Sequence, residues 1–224
     1  MRVVIAGAGS VGRSIAHELL AHGHEITIVD RQPSAMRIAQ VADAEWLLAD
    51  ACELSALTEA KVDECDVVVA ATGDDKANLV ISLLAKTEFG VPRTVARVNN
   101  PKNEWMFDEA WGVDVAVSTP RIMTAMVEEA VAVGDLIRIF TFHHSGADIL
   151  ELTLPAGASL AGVRVGQVLW PADTVLACIV RGDRPIAPSP DDTLEEGDQL
   201  LFVTGRDADE QDLEKLLGSG PTTR

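Results

Sequence analysis

The stretch RVVIAGAGSVG, residues 2–12, decides the reading of the fold. A short apolar run rich in β-branched residues meets Gly7-Ala8-Gly9-Ser10-Val11-Gly12, a G-x-G-x-x-G pattern, and a helical stretch follows over residues 11–22. A glycine loop between a strand and a helix is the setting in which that spacing has a mechanism. Gly7 permits a tight turn, Gly9 lets backbone approach a pyrophosphate, and Gly12 lets the helix lie close against the strand. The unpaired amides at the helix start attract an anion. Asp30 closes the next strand about 20 residues on, where a carboxylate accepts from a ribose 2′-hydroxyl. That favours NAD over NADP, while Arg31 beside it leaves room for a 2′-phosphate.

Outward from this loop, β-branched runs alternate with helical ones. Strands are predicted over residues 2–6, 25–29, 44–48, 67–71, 94–98 and 114–117, and helices over 11–22, 34–42, 75–89 and 103–111. Such alternation means right-handed βαβ units, hence an α/β, Rossmann-like doubly wound parallel sheet covered on both faces. The run from Val67 to Ala71 is apolar throughout, as a central parallel strand should be. Pro120 then opens a helix over 121–133 that Gly134 ends.

Beyond Gly134 the pattern changes to a small α+β domain. Strands at 136–142 and 147–153 flank His143-His144-Ser145-Gly146, and a strand at 174–181 continues through Gly182-Asp183 toward 185–187. Glu195-Glu196-Gly197-Asp198 introduces a strand at 199–204, and a helix at 207–217 follows. The organisation read from the sequence is therefore a dinucleotide-binding domain at 1–118, a connector helix at 119–134, a small α+β domain at 135–218 and a flexible tail at 219–224.

Composition narrows the function. Of 224 residues 47% are hydrophobic, enough for packed cores, and the formal charge of −17 opposes any broad polyanion-binding face. Nucleic acid is thus not an expected partner, whereas a small anion can still be held by backbone amides and an arginine. No apolar run reaches the roughly 18 residues needed to span a bilayer, and the first one is too short for a secretory signal. Cys52, Cys65 and Cys178 are odd in number and far apart, so they read as free thiols rather than a disulfide or zinc framework. His143 and His144 read as solvated turn residues, not metal ligands.

More candidate residues lie at the ends of later strands, on the edge where such sheets bind ligands. Thr72-Gly73-Asp74 follows the fourth strand, and Asp75 reads as the N-cap of the next helix. Asp50, followed by Ala51, ends the third strand and can receive an adenine amino group. Arg97 ends the fifth, either as a phosphate partner or in a salt bridge to an acidic neighbour. The chain contains no tyrosine, which removes the Tyr-x-x-x-Lys dehydrogenase mechanism, and no lysine is paired with a base. A ligand sensor without catalysis is the expectation, and a small NAD-dependent oxidoreductase is the alternative.

The motifs Gly7-Ala8-Gly9-Ser10-Val11-Gly12, Asp30, Ala49-Asp50-Ala51, Thr72-Gly73-Asp74-Asp75 with Asn78-Leu79, and Ala96-Arg97-Val98 occur in an order that resembles the TrkA/Ktr potassium-transport regulators, the KTN or RCK family. Leu160-Ala161-Gly162, Gly166-Gln167, Val180-Arg181-Gly182-Asp183 and Leu194-Glu195-Glu196-Gly197-Asp198 resemble that family's C-terminal domain. The resemblance implies a cytoplasmic regulatory subunit that binds NAD(H) or the adenine nucleotides ATP and ADP. It implies homodimers assembling into a tetrameric or octameric ring, docked at the inner face of the cell membrane on a potassium-transport subunit that the ring gates. By position it implies dinucleotide contacts from Gly7 to Val11, Asp30, Thr72-Gly73 and Arg97, with Asp50-Ala51 at the adenine.

It implies, too, a cyclic di-AMP site in the C-terminal domain, with Arg164 and Arg181 as phosphate partners; a pure dimerisation module is the other reading there. Ser10 stands where ATP-discriminating members often carry a basic residue, and Thr119-Pro120-Arg121 where some carry a glutamate, so NAD(H) or ADP takes more weight than ATP. Met123, Met126, Val127, Val131 and Val133 give the connector an apolar surface, for a second copy or for its own domain.

Overall fold

A computed structural model of the chain describes residues 1–131, 134–142 and 145–218. The chain divides into two compact units, Met1–Arg121 and Ile122–Arg224. The first is built on six parallel strands: β1 (Arg2–Ala6), β2 (Glu25–Asp30), β3 (Glu45–Leu48), β4 (Val67–Ala70), β5 (Arg93–Val98) and β6 (Val115–Ser118). Their spatial order is β3-β2-β1-β4-β5-β6, so the winding reverses between β1 and β4. At that switch point the connections leave in opposite directions and open a crevice at the carboxyl ends of the strands.

Strand β1 is buried on both faces because its neighbours carry helices on both. Val4 and Ala6 pack with Leu57 of α2 (Leu54–Glu59) and with Leu79, Ile81 and Ala85 of α3 (Asp75–Thr87). Val3 and Ile5 face Ile15, Ala16 and Leu19 of α1 (Ser10–Ala21). The six predicted strands are all present, with ends shifted by a residue at most.

Two predicted helices are not α-helices. The stretch 34–42 forms only two 3₁₀ turns, Pro33–Ala35 and Ile38–Gln40. Its side chains have helical propensity, but only Val41 is buried, and a helix with no apolar face to cover gains too little from packing to form. The stretch 103–111 is split into Pro101–Met106 and Glu109–Trp111 by Asp108, whose carboxylate accepts from the amides of Ala110 and Trp111 and starts a new turn. The six-residue α2, too short to show a period, goes unseen in the sequence.

A helix α4 (Thr119–Val131) runs through the division between the units, beginning two residues earlier than the sequence predicts. Val133, His143, His144 and the tail at 219–224 lie outside the described residues. The second unit holds an antiparallel sheet of β7 (Ile137–Phe142), β8 (Ala147–Thr153), β9 (Thr174–Arg181), β10 (Arg184–Ile186) and β11 (Gln199–Thr204), in the order β10-β9-β11-β8-β7. Alternate residues of one face, among them Leu150, Leu152, Leu200 and Phe202, join Leu213 and Leu217 of α5 (Glu210–Leu217) in a single core.

Candidate functional site

The crevice at the switch point holds a cavity of about 380 Å³. Its floor is the glycine loop, and each glycine there has a different physical reason. Gly7 has φ +112°, and a Cβ on it would lie 2.9 Å from the backbone of Ala71 and Thr72. A Cβ on Gly12 would lie 1.9 Å from the carbonyl oxygen of Gly7, so α1 rests directly on the loop. Gly9 differs: its φ of −64° is ordinary, and nothing of the chain comes within 4 Å of an added Cβ. Steric demand inside the protein thus explains Gly7 and Gly12 but not Gly9, which faces open space.

The loop is held from both sides. The amide of Ala8 donates to Asp30 Oδ2 at 2.7 Å, and the guanidinium of Arg13 donates to the Ala8 carbonyl. Asp30 Oδ1 accepts from the Gln32 amide at 2.8 Å. Asp30 therefore sits at the loop with both oxygens engaged once and lone pairs to spare. Arg13 escaped the sequence reading; its signal was a lone basic residue directly after the last glycine, in the first turn of α1.

Beside Asp30, Arg31 faces Asp50 at 3.4 Å, so its charge is turned toward a carboxylate rather than left for a 2′-phosphate. The Cys52 amide donates to Asp50 Oδ1 at 3.0 Å and holds that carboxyl below its usual range, with Arg31 adding to the effect against partial burial. Burial, reinforced by Asp50, pushes the Cys52 thiol up to about 11. At neutral pH it is a protonated, unreactive wall of the cavity.

The far wall is a polar lattice centred on α3. Asn78, fully buried, accepts from the amide and hydroxyl of Thr72 at 3.0 and 2.6 Å and donates to the carbonyl of Arg97 at 2.8 Å. One side chain thereby sets the ends of β4 and β5 relative to each other. The N-cap of α3 is Asp74, whose carboxylate accepts from the Lys76 amide, and not Asp75 as expected. Asp75 turns inward and is buried. It accepts from the amides of Asn99 and Asn100 and from the side chains of Asn99 and Asn103. Burial would raise its carboxyl, but these donors hold it below the ordinary carboxylate value.

Arg97 extends into the cavity from β5, half-buried. Its Nε donates to the Thr119 hydroxyl at 3.3 Å, and among the described residues it has no acidic partner. In a chain with 35 acidic residues that isolation is informative. The salt-bridge reading of Arg97 is not what the structure holds.

Of the residues singled out from the sequence, Gly7, Gly9, Ser10, Asp30, Arg31, Asp50, Ala51, Thr72, Gly73, Asp74 and Arg97 line this one cavity. Ala8, Val11 and Gly12 stand behind it as loop and helix backbone. The C-terminal expectation needs correction at Arg181. Its guanidinium grips fully buried Asp198 at 2.8 and 2.9 Å, Glu195 at 2.5 Å and the Thr193 carbonyl at 2.8 Å. It locks β9 to the turn before β11 and is not free for a ligand. Arg164 is exposed.

Comparison with known proteins places the chain. The TrkA-N domain family matches residues 3–119 and the TrkA-C domain family residues 149–218. The Trk system potassium uptake protein TrkA of Mycobacterium tuberculosis is 53% identical over 217 residues, 97% of this chain and 98% of that protein. The chain belongs to the TrkA family. The TrkA homolog of Methanothermobacter thermautotrophicus is 30% identical over 97% of this chain and all of its own length. Among solved structures, the GsuK channel bound to NAD superposes with a TM-score of 0.68 at 17% identity, covering all of this chain and 40% of that one, which shows a shared fold. No helix among the described residues of this TrkA-family chain is long and apolar enough to cross a membrane.

Proposed function

We propose that this TrkA-family chain is the nucleotide-sensing regulatory subunit of a potassium uptake system, taking NAD(H) or ADP at the crevice and gating a membrane transport subunit. The observation that carries this is the composition of the cavity: an open Gly9 backbone, an acid at the ribose position and one guanidinium without an acidic partner. A pyrophosphate over Gly9 meets the first amides of α1 and the charge of Arg97. A ribose meets Asp30, and an adenine meets the wall formed by Asp50, Ala51 and Cys52. The NAD bound by the GsuK channel, on the same fold, supports this reading.

The same residues argue against an oxidoreductase. Asp30, Asp50 and Asp74 each accept a backbone amide and act as supports, and the Cys52 thiol is protonated. None is a poised base. We take residues 1–118 as the nucleotide domain, α4 as the connector and the remainder as an assembly domain, since of the two arginines expected at a cyclic di-AMP site Arg181 is taken up by Asp198. Along α4, Ile122, Met123, Met126, Val127 and Val131 are exposed, and Ala125 is the only buried one among the described side chains. Such a surface suits a second copy and a dimer-based ring, cytoplasmic and docked on the transporter.

Calorimetry on the full chain with NADH, NAD⁺ and ADP tests the site. Gly9→Val should retain the fold and abolish binding, and Asp30→Ala should weaken NADH by about 1–3 kcal/mol. Unchanged affinity in both variants would remove the site. Sustained NADH oxidation with carbonyl substrates, lost in Gly9→Val, would establish the oxidoreductase instead.

A further inference from the structure

Arg97 has two sides. Its side chain belongs to the lining of the cavity, while its Nε donates to Thr119 Oγ1 at 3.3 Å. Thr119 is the first residue of α4, the helix that runs on through the division between the two units. We propose that Arg97 and Thr119 form a relay in which the guanidinium holds a nucleotide phosphate through its terminal N–H groups and the first turn of α4 through Nε, so that filling the crevice changes α4. This rests on the nucleotide reading above and adds to it a named positioning residue and a route.

Three features make the route specific. The Arg97 backbone is a fixed pivot, because buried Asn78 holds its carbonyl together with the Thr72 amide and hydroxyl. The chain just after it is fixed as well, since Asp75 gathers Asn99, Asn100 and Asn103. What a phosphate can move is the side chain, and a guanidinium, planar and forked, transmits a pull on one edge to the other. Secondly, β5 and β6 pair with Arg97 opposite Val117 and Val98 opposite Ser118, which brings Thr119 to the arginine as a consequence of register.

Thirdly, the junction is incompletely bonded: Ser118 Oγ is buried and has no hydrogen-bond partner among the described residues. Such a group is rare in a native structure, and it leaves a hydroxyl uncommitted directly before the first residue of α4. A ligand shifts an equilibrium only by differential contact with its two states, and Arg97–Thr119 supplies that contact.

The test is amide hydrogen exchange of residues 121–131 in the full chain, with and without saturating NADH, beside calorimetric affinity. In the parent protein NADH should slow α4 exchange at least threefold. Thr119→Val, near-isosteric but without the hydroxyl, should weaken NADH about three- to tenfold and lose the slowing even at saturation, and Thr119→Ser should restore both. Should Thr119→Val not fold, Arg97→Lys, which keeps a cation but removes the second donor edge, should give the same loss. Equal slowing in Thr119→Val and the parent, or NADH binding by the parent with no effect on α4, overturns the relay and leaves the site standing. No binding of NADH or ADP by the parent overturns the site, and the relay with it.

Discussion

Arg97 in the first unit and Arg181 in the second are both offered to a phosphate by the sequence, and the two are in opposite situations. Arg181 is surrounded by two carboxylates and a carbonyl, one of those carboxylates fully buried. Arg97 has a hydroxyl partner on one edge and no acid among the described residues. A saturated guanidinium is part of the frame, whereas one left unpaired beside an open glycine backbone is available to an anion. Counting basic residues in the sequence does not separate these cases; counting the acceptors around each does.

Removing each arginine should sharpen the contrast. Arg181→Ala leaves Asp198 buried without its counter-charge and should cost about 2–4 kcal/mol in thermal or denaturant unfolding, less than a wholly buried pair because the guanidinium is about one-third exposed. Arg97→Ala should change stability by no more than about 0.5 kcal/mol but weaken NADH by about 1.5–3 kcal/mol in calorimetry, the range for a charge-assisted bond. The opposite pattern, a stable Arg181→Ala protein or an unfolded Arg97→Ala protein, would break the comparison.

The glycine loop repeats the lesson on a smaller scale. Gly12→Ala forces a methyl against the Gly7 carbonyl and should destabilise the first unit by about 1–3 kcal/mol, visible as faster exchange of β1 amides. The Cβ of Gly9→Val meets nothing of the chain within 4 Å, and this variant should leave those amides protected. If both variants behave alike, the loop has no ligand-facing side.

Acid should affect both units, and least of these changes. Asp75 and Asp198 are each held below their unfolded pKa, Asp75 by amide donors and Asp198 chiefly by Arg181, in both cases against burial. Groups of this sign stabilise the fold above the unfolded value of about 3.9. That contribution fades as pH falls through the folded pKa. Asp75→Asn should cost about 1 kcal/mol at pH 7 and flatten the loss of stability below pH 4 in the first unit, leaving the acid response of the second unchanged.

How much was legible in advance follows the range of the forces. All six parallel strands and most of the cavity lining could be read from residues 2–117, because β-branched runs, glycine spacing and a strand-terminal acid are local signals, whereas the reversal between β1 and β4 came only with the strand order of the folded sheet. Asp75 was misread as a cap since a cap and a buried anchor look alike until the partner loop, 24 to 28 residues on, is in place. Arg181 was misread for the same reason: Asp198 lies 17 residues away in sequence and 2.8 Å away in space. The two missing helices failed because propensity is local while the apolar face that stabilises a helix is supplied by the rest of the fold.

The sequence by itself determined the class of the fold, the glycine loop, the acid that closes the second strand and the family resemblance. Each of these is carried by residue type at short spacing along one strand–turn–helix unit or at successive strand ends. Only the tertiary structure decided which charged groups are occupied and which are free. Arg97 has Thr119 as a partner and no acid among the described residues, Arg181 is consumed by Asp198, and Gly9 alone of the loop glycines is open. Charge pairing and steric contact act over a few ångströms in space, and chain distance carries no record of which groups the fold brings that close.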